Sequence, residues 1–170
     1  TDLSKGTTHL FLQNQSTNQL EITASPQGKY IAYRRQRDWW IYDIAKNEHY
    51  NISKDIPIPD PIQNYLTHGE IQISGWTTGE KGILLYNHYD TYNINLKNLN
   101  LKRLTNGESV GIAFRPNDPL RRSSMNFDGF IYNIEYDTNN LILAATGKTG
   151  KERGYYRYSE PDSCRFGSNS

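Results

Sequence analysis

A pattern of short apolar runs separated by turns occurs more than once in this chain. Its clearest copy, residues 25–53, opens with a Ser-Pro-Gln-Gly turn and continues with apolar runs at 30–33 and 39–44. Each run has the length of a typical β-strand, and Pro and Gly in the gaps favour tight turns over helix ends. The segment therefore predicts an antiparallel meander of short strands.

A second full copy occupies residues 75–105, where the runs 83–86 and 91–94 take the places of the two runs in the first copy. Residues 9–23 resemble the second half of the same unit. Repeats of this size, built from four short strands, are typical of propeller blades. The sequence predicts an all-β chain of about three blade-like antiparallel sheets, a partial β-propeller.

The expected domain organisation follows from the repeats. We expect a partial propeller over 1–158 and a polar C-terminal tail over 159–170, and an exposed, stiff, proline-rich loop over 54–70. The expected blades are 9–23 (partial), 24–53, 71–105 and 110–158.

Composition excludes some classes of partner. The chain has 19 Lys and Arg against 18 Asp and Glu, a net charge of +1, so neither a nucleic-acid nor a membrane partner is expected. No apolar stretch approaches the ~18 residues of a membrane span. Lone Cys164 excludes an intramolecular disulfide. The chain begins at Thr1 without Met, which suggests a processed chain or a piece of a longer protein.

Residues 107–111, Gly-Glu-Ser-Val-Gly, match the G-x-S-x-G pattern of a nucleophile elbow. An elbow needs a buried strand before the serine and a helix after it. Here an Asn-Gly turn precedes Ser109, and Arg115-Pro116 follows too soon for a long helix. We therefore interpret Ser109 as a loop serine and assign no catalytic residue.

No metal or cofactor site is expected. His88 and Asp90 could place two ligands on one strand face, but no third ligand is evident. Asp55 and Asp60 lack the spacing of a calcium loop. The four histidines are scattered singly: His9, His49, His68 and His88.

A basic cluster of Arg34, Arg35 and Arg37, followed by Trp39, is the candidate rim or interaction site. Basic groups beside aromatic rings can bind nucleic acid or carboxylates. In a chain of nearly zero net charge, a solvated hairpin with a cation–π contact is the favoured interpretation.

The tryptophans are expected to be mainly structural. Trp39 and Trp40 point to opposite faces of one strand, so one should pack between sheets and the other should lie at an edge. We expect Trp40, together with Ile31 and Ile41, to pack blade against blade. Trp76 is expected to pack between blades as well.

Several stretches within residues 9–158 resemble a known family, and 141–158 is one of them. Residues 25–33, SPQGKYIAY, are similar to the blade opening of TolB-like and prolyl-oligopeptidase-type propellers, and 40–44, WIYDI, to their blade closing. Residues 73–107 resemble large bacterial peptidases of the prolyl oligopeptidase (S9) family. In that family the propeller covers an α/β-hydrolase domain with a Ser-Asp-His triad and admits peptides rather than folded proteins.

The resemblance implies a non-catalytic propeller segment that gates or positions peptide substrates and contacts the hydrolase domain. These residues contain no hydrolase domain and too few blades to close a propeller, which needs at least about four. The implied partners are therefore the missing blades, the hydrolase domain and the parent's peptide substrate. An open arc of blades also predicts self-association. The resemblance favours a periplasmic or extracytoplasmic location.

Two alternatives remain at this point. The chain could be a stand-alone TolB-like β protein that acts as a protein-interaction module. It could also be a hydrolase that uses Ser109, which the surrounding sequence disfavours.

Overall fold

The computed structural model describes residues 6, 10, 12–13, 21–58, 71–117 and 135–158. Within these ranges the chain is nearly all β, which confirms the predicted fold class. The strands form three sheets, called here the first, second and third sheet in chain order. No helix in the described ranges has the length and apolar character needed to cross a bilayer.

The first sheet is an antiparallel meander in the order β1-β2-β3-β4. The Ser25 hydroxyl accepts from the backbone N–H groups of Lys29 and Tyr30, both at 3.0 Å. Gly28 adopts φ +70°, a conformation that Gly reaches without steric cost, so the predicted 25–28 turn forms. The strands are β1 Ile22–Ala24, β2 Tyr30–Arg35, β3 Asp38–Asp43 and β4 Glu48–Asn51.

The first strand lies close to a predicted blade boundary. The sequence placed Ile22 and Thr23 at the end of the partial blade 9–23. In the structure Ile22–Ala24 pairs antiparallel with β2 and belongs to the first sheet. Residues 14–20 lie outside the described residues, so the partial blade stays a prediction.

The second sheet has the order β10-β5-β6-β7-β8. Its four consecutive strands are antiparallel, with an irregularity in register between Ile73 and Gly75. They are β5 Gln72–Thr77, β6 Gly82–Tyr86, β7 Thr91–Asn95 and β8 Leu101–Arg103.

The fifth strand of the second sheet departs from the sequence prediction. The sequence predicts that residues 135 and 136 belong to the blade 110–158. The structure instead pairs β10, Glu135–Tyr136, parallel to β5. The Thr78 hydroxyl donates to the Tyr136 carbonyl at 3.2 Å, and Tyr136 packs against Leu84 of the second sheet. These contacts outside its own segment explain the placement.

The third sheet has the order β12-β11-β9, with β9 Ile112–Pro116, β11 Leu141–Gly147 and β12 Arg153–Tyr158. A turn at 147–150 joins β11 to β12, where the Gly150 N–H donates to the Gly147 carbonyl at 2.9 Å. A 3₁₀ turn at Thr138–Asn140 precedes β11, and the Asp137 side chain caps it by accepting from the Asn139 N–H.

The three sheets stack face to face, with the second sheet in the middle. Ile83 and Leu85 of β6 join the core shared with the first sheet, whereas Leu84 between them joins Leu141 and Leu143 of the third sheet. All three β6 residues have no solvent exposure. A strand buried on both faces needs a continuous apolar run instead of alternation, which is why this segment reads Ile-Leu-Leu.

The tryptophan positions reverse one prediction. Trp39, proposed for the rim, is 2% exposed and donates its indole N–H to the Ile71 carbonyl at 2.8 Å. Trp40 is half-buried on the opposite face, as is Ile31. The cause is strand alternation, because Trp39 and Ile41 both face the second sheet. Trp76 is fully buried in the same core and confirms its predicted structural role.

The described part of the proline-rich loop is anchored at its start. Ile56 is 4% exposed within the core shared by the first two sheets. The Asn87 side-chain amide donates to the Pro57 carbonyl at 3.0 Å. Pro59 and Pro61 lie outside the described residues.

Candidate functional site

The predicted rim cluster is a hairpin tip between β2 and β3. Arg35 pairs with Asp38 across the strands, and Gln36 takes φ +59° so that the chain can turn back within the two residues 36–37. The Arg35 guanidinium lies 5.7 Å from the centre of the Trp40 ring. This geometry fits a solvated hairpin with a cation–π contact. Binding by Arg34, Arg35 and Arg37 stays a prediction.

The G-x-S-x-G segment forms a single helical turn, α1 Gly107–Val110, and not an elbow. No strand enters it directly, because the link 104–106 separates it from β8. The exposed Ser109 hydroxyl donates to the Asn106 carbonyl at 2.9 Å. Gly111 ends the turn in the left-handed region at φ +69°. The serine is therefore part of a local turn, as the sequence indicated.

The carboxylate of Asp90, a residue just before β7, lies at the start of α1 and is fully buried. It accepts from the Arg103 guanidinium at 2.5 Å, the Thr105 hydroxyl at 2.7 Å and the Gly107 N–H at 2.6 Å. Burial by itself raises the pKa of Asp90, but the hydrogen bonds from Thr105, Gly107 and Arg103 outweigh it and hold the pKa below its usual value. These donors occupy the carboxylate, so Asp90 is structural.

His88 lies two residues from Asp90 without forming a metal site with it. Its ring packs edge-on to Tyr89 at 4.4 Å, and burial followed by the charge of Arg115 lowers its pKa. Among the residues that the structure describes, no group of 3 or more His, Cys, Asp or Glu could hold a metal ion.

Arg115 is a residue whose role the sequence did not indicate. Its guanidinium lies 4.4 Å from the centre of the Tyr86 ring and donates to the carbonyls of Phe114 and His88 at 2.8 and 2.5 Å. Burial lowers the pKa of Arg115. The side chain thereby ties β9 of the third sheet to the β6–β7 turn of the second.

A groove lies where the turns of the first and second sheets meet, and it is a candidate site. Its volume is about 510 Å³. Three lysines, an aspartate and several apolar groups line it: Gly28, Lys29, Tyr30, Asp43, Ile44, Ala45, Lys46, Leu96 and Lys97. We refer to it below as the lysine groove.

Two similar turns position its lysines. In the β3–β4 turn the Asp43 carboxylate accepts from the Lys46 N–H at 3.1 Å, and in the β7–β8 turn the Asn95 side-chain oxygen accepts from the Lys97 N–H at 2.9 Å. Asp and Asn favour such turns because their short side chains bond to backbone N–H groups a few residues on. An Asp or Asn at a strand end, followed by one or two apolar residues and a lysine, was the available sequence signal.

Buried carboxylates form ion pairs with two of the groove's lysines. The Lys46 ammonium lies 3.2 Å from Asp43, and this hydrogen bond is the main reason that the pKa of Lys46 is raised. The Lys29 ammonium lies 3.6 Å from Glu80 of the second sheet. Glu80 also accepts from the Gln27 N–H at 2.5 Å, so this carboxylate joins the first two sheets.

Comparison with known proteins gives a similarity to solved structures. No protein-family model and no curated protein sequence matches the chain. A solved structure, the crystal structure of Porphyromonas gingivalis dipeptidyl peptidase 4, matches with 12% sequence identity and a TM-score of 0.45. The match covers 82% of this chain and 21% of that one, so this chain spans about a fifth of its length. A likeness at this level assigns neither a family nor an activity.

Proposed function

We propose that this chain is a non-catalytic propeller segment of a prolyl-oligopeptidase-type serine peptidase. In that setting it gates or positions peptide substrates and contacts the α/β-hydrolase domain. The observation that supports this most is the stacking of the sheets. The second sheet is buried on both faces between two blade-like neighbours, as successive blades of a propeller are.

The described residues also support a non-catalytic role. The serine of the G-x-S-x-G segment bonds to a backbone carbonyl, and the nearby carboxylate of Asp90 is occupied by Arg103, Thr105 and Gly107. A nucleophilic serine would instead need a base within hydrogen-bond reach. We therefore assign catalysis in the proposed parent protein to its hydrolase domain, as the resemblance implies.

The natural open reading frame provides the test. We expect it to extend beyond the 170 residues into a hydrolase domain. The full-length protein should react with a fluorophosphonate probe at a serine outside this segment, and Ser109→Ala should label and hydrolyse chromogenic prolyl peptides like the wild type. A reading frame without a hydrolase domain, or a label on Ser109, would overturn the proposal.

A stand-alone protein-interaction module is the second candidate function. The lysine groove favours it, because exposed ammonium groups around an apolar floor are suited to contact another polypeptide. A reading frame that stops near Ser170 would support this candidate over the peptidase segment.

Self-association is a further proposal for the isolated chain. Strand β12 is an edge of the third sheet among the described strands, and its Tyr155 and Tyr156 are 67% and 52% exposed. Unpaired edges and exposed aromatic rings promote association. Size-exclusion chromatography with light scattering should show dimers or larger species, and a monodisperse monomer at all concentrations would contradict this.

A further inference from the structure

The lysine groove presents positive charge outward while its negative charge is buried. Lys29 and Lys46 expose 57% and 54% of their side chains, whereas Glu80 and Asp43 expose 0% and 7%. Lys97 is exposed as well, and it forms no ion pair with another described residue. A ligand in the groove therefore meets ammonium groups rather than carboxylates. Because Glu80 and Asp43 offset two of the three lysines, Lys97 supplies the net positive charge that attracts a negative ligand.

The groove also offers an apolar contact. Ile44 is 44% exposed, which is high for a large aliphatic side chain, and it lies beside Leu96 and the half-buried Tyr30. Burying the rest of Ile44 under an apolar group of a ligand would be favourable. The volume of about 510 Å³ lies within the range of roughly 300–1,000 Å³ typical of ligand sites.

The chemistry of the lining favours a peptide over a nucleic acid. Single-stranded nucleic acids bind by stacking bases on aromatic rings, whereas the exposed apolar group here is the aliphatic Ile44. The ring of Tyr30 already stacks against Trp76, with the ring centres 6.4 Å apart. Glutamate or aspartate side chains would meet the lysines, and an aliphatic side chain would meet Ile44.

We propose that the lysine groove binds an acidic peptide segment that carries one aliphatic side chain. This inference goes beyond the proposed function and does not rest on it, because the groove is formed entirely by the first two sheets. It holds for a peptidase segment and for a stand-alone module alike.

Fluorescence anisotropy with the full 170-residue chain tests the proposal. The probe is a fluorescein-labelled oligoglutamate peptide with one central leucine. We expect saturable binding at low ionic strength, weakened at least about fivefold near 0.5 M salt because screening shortens the reach of the lysine charges. A peptide with serine in place of leucine should bind about threefold more weakly.

Matched variants distinguish binding in the groove from attraction to the overall charge of the chain. Lys97→Glu should weaken binding about tenfold, whereas Lys151→Glu, an equal change of charge on an exposed turn of the third sheet, should leave affinity unchanged. Ile44→Ser should weaken binding of the leucine peptide only, and Val110→Ser, at a 62% exposed position, should have no effect. Lys97→Gln provides a milder variant, and circular dichroism checks that each variant is folded.

Three results would overturn the proposal. The first is the absence of saturable binding by the folded chain at low salt. The second is an equal loss of affinity in Lys97→Glu and Lys151→Glu, which would show attraction to overall charge only. The third is tighter binding of a single-stranded oligonucleotide that displaces the peptide. Peptidase activity of a longer protein is not a readout here, so this inference and the proposed function fail separately.

Discussion

The Arg103 guanidinium donates a 2.5 Å hydrogen bond to the carboxylate of Asp90, which has no solvent exposure. Thr105 and the first amide of α1, that of Gly107, donate to the same carboxylate. One side chain thus holds the start of β7, the end of β8 and the link into the third sheet. Removing one partner from such a buried, fully bonded charge destabilises a fold, because the groups left behind lose their compensation.

Asp90→Asn should destabilise the chain by about 2–3 kcal/mol. Loss of one partner from a buried ion pair costs roughly 3–5 kcal/mol, and we expect less because the Arg103 side chain is 38% exposed. Urea unfolding followed by tryptophan fluorescence measures the change. Asp55→Asn at an exposed loop position is the matched control and should change stability by less than about 0.5 kcal/mol.

The same carboxylate predicts a pH dependence. Its pKa is lower in the folded than in the unfolded chain, so its stabilising contribution is complete above the unfolded value of about 3.9. The contribution is lost as the pH falls through the lower folded pKa. The stability difference between wild type and Asp90→Asn should therefore be constant from about pH 5 upward and shrink below pH 4. A difference that grows on acidification would contradict this assignment.

In the G-x-S-x-G segment we expect Gly107 to be important for stability and Ser109 to contribute little. A Cβ at Gly107 would lie 2.1 Å from the Ile112 carbonyl and 2.7 Å from that of Tyr89, both backbone atoms. We expect Gly107→Ala to cost about 2–3 kcal/mol through this overlap. Ser109→Ala, two residues on in the same turn, should stay within about 0.5 kcal/mol of the wild type in thermal unfolding. The reverse order would show that the Ser109 hydroxyl contributes more to stability than its single bond to the Asn106 carbonyl suggests.

The two adjacent tryptophans should differ strongly in their contribution to stability. Trp39→Ala should cost about 3–5 kcal/mol, because it leaves a cavity and removes the hydrogen bond to the Ile71 carbonyl. Trp40→Ala should cost about 1 kcal/mol, since that ring is half-buried and loses mainly its contact with Arg35. Guanidinium unfolding monitored by circular dichroism gives both values, and similar costs would show that both rings are in the core.

Glu80 should protect a single amide of the first sheet. Its carboxylate accepts from the Gln27 N–H, whereas the neighbouring Gly28 N–H donates to the Ser25 carbonyl. In Glu80→Ala we expect exchange at Gln27 to accelerate at least about tenfold while Gly28 is unchanged. Hydrogen exchange followed by NMR resolves the two amides. Equal acceleration at both would indicate a loosened turn instead of a lost contact.

The repeated pattern predicted the strands and turns of the first two sheets closely. The 25–28 turn, the run beginning at Tyr30 and the two strands of the 75–105 copy are present in the structure. These features depend on turn residues and apolar runs a few positions apart, which a sequence displays directly. The single helical turn at 107–110 was not expected, because Asp90, far away in sequence, caps it.

The sequence by itself determined the all-β class, the meander units and the structural character of Trp76. Only the tertiary structure decided which face of a strand is the core face. Side-chain alternation places Trp39 and Trp40 on opposite faces of β3. It does not show which of the two faces packs against the second sheet. The lysine groove also depends on the tertiary structure, because Lys46 and Lys97 belong to different repeats and come together only when the sheets stack. Strands arise from interactions between near neighbours, whereas sites of this kind arise from contacts between residues far apart in the chain.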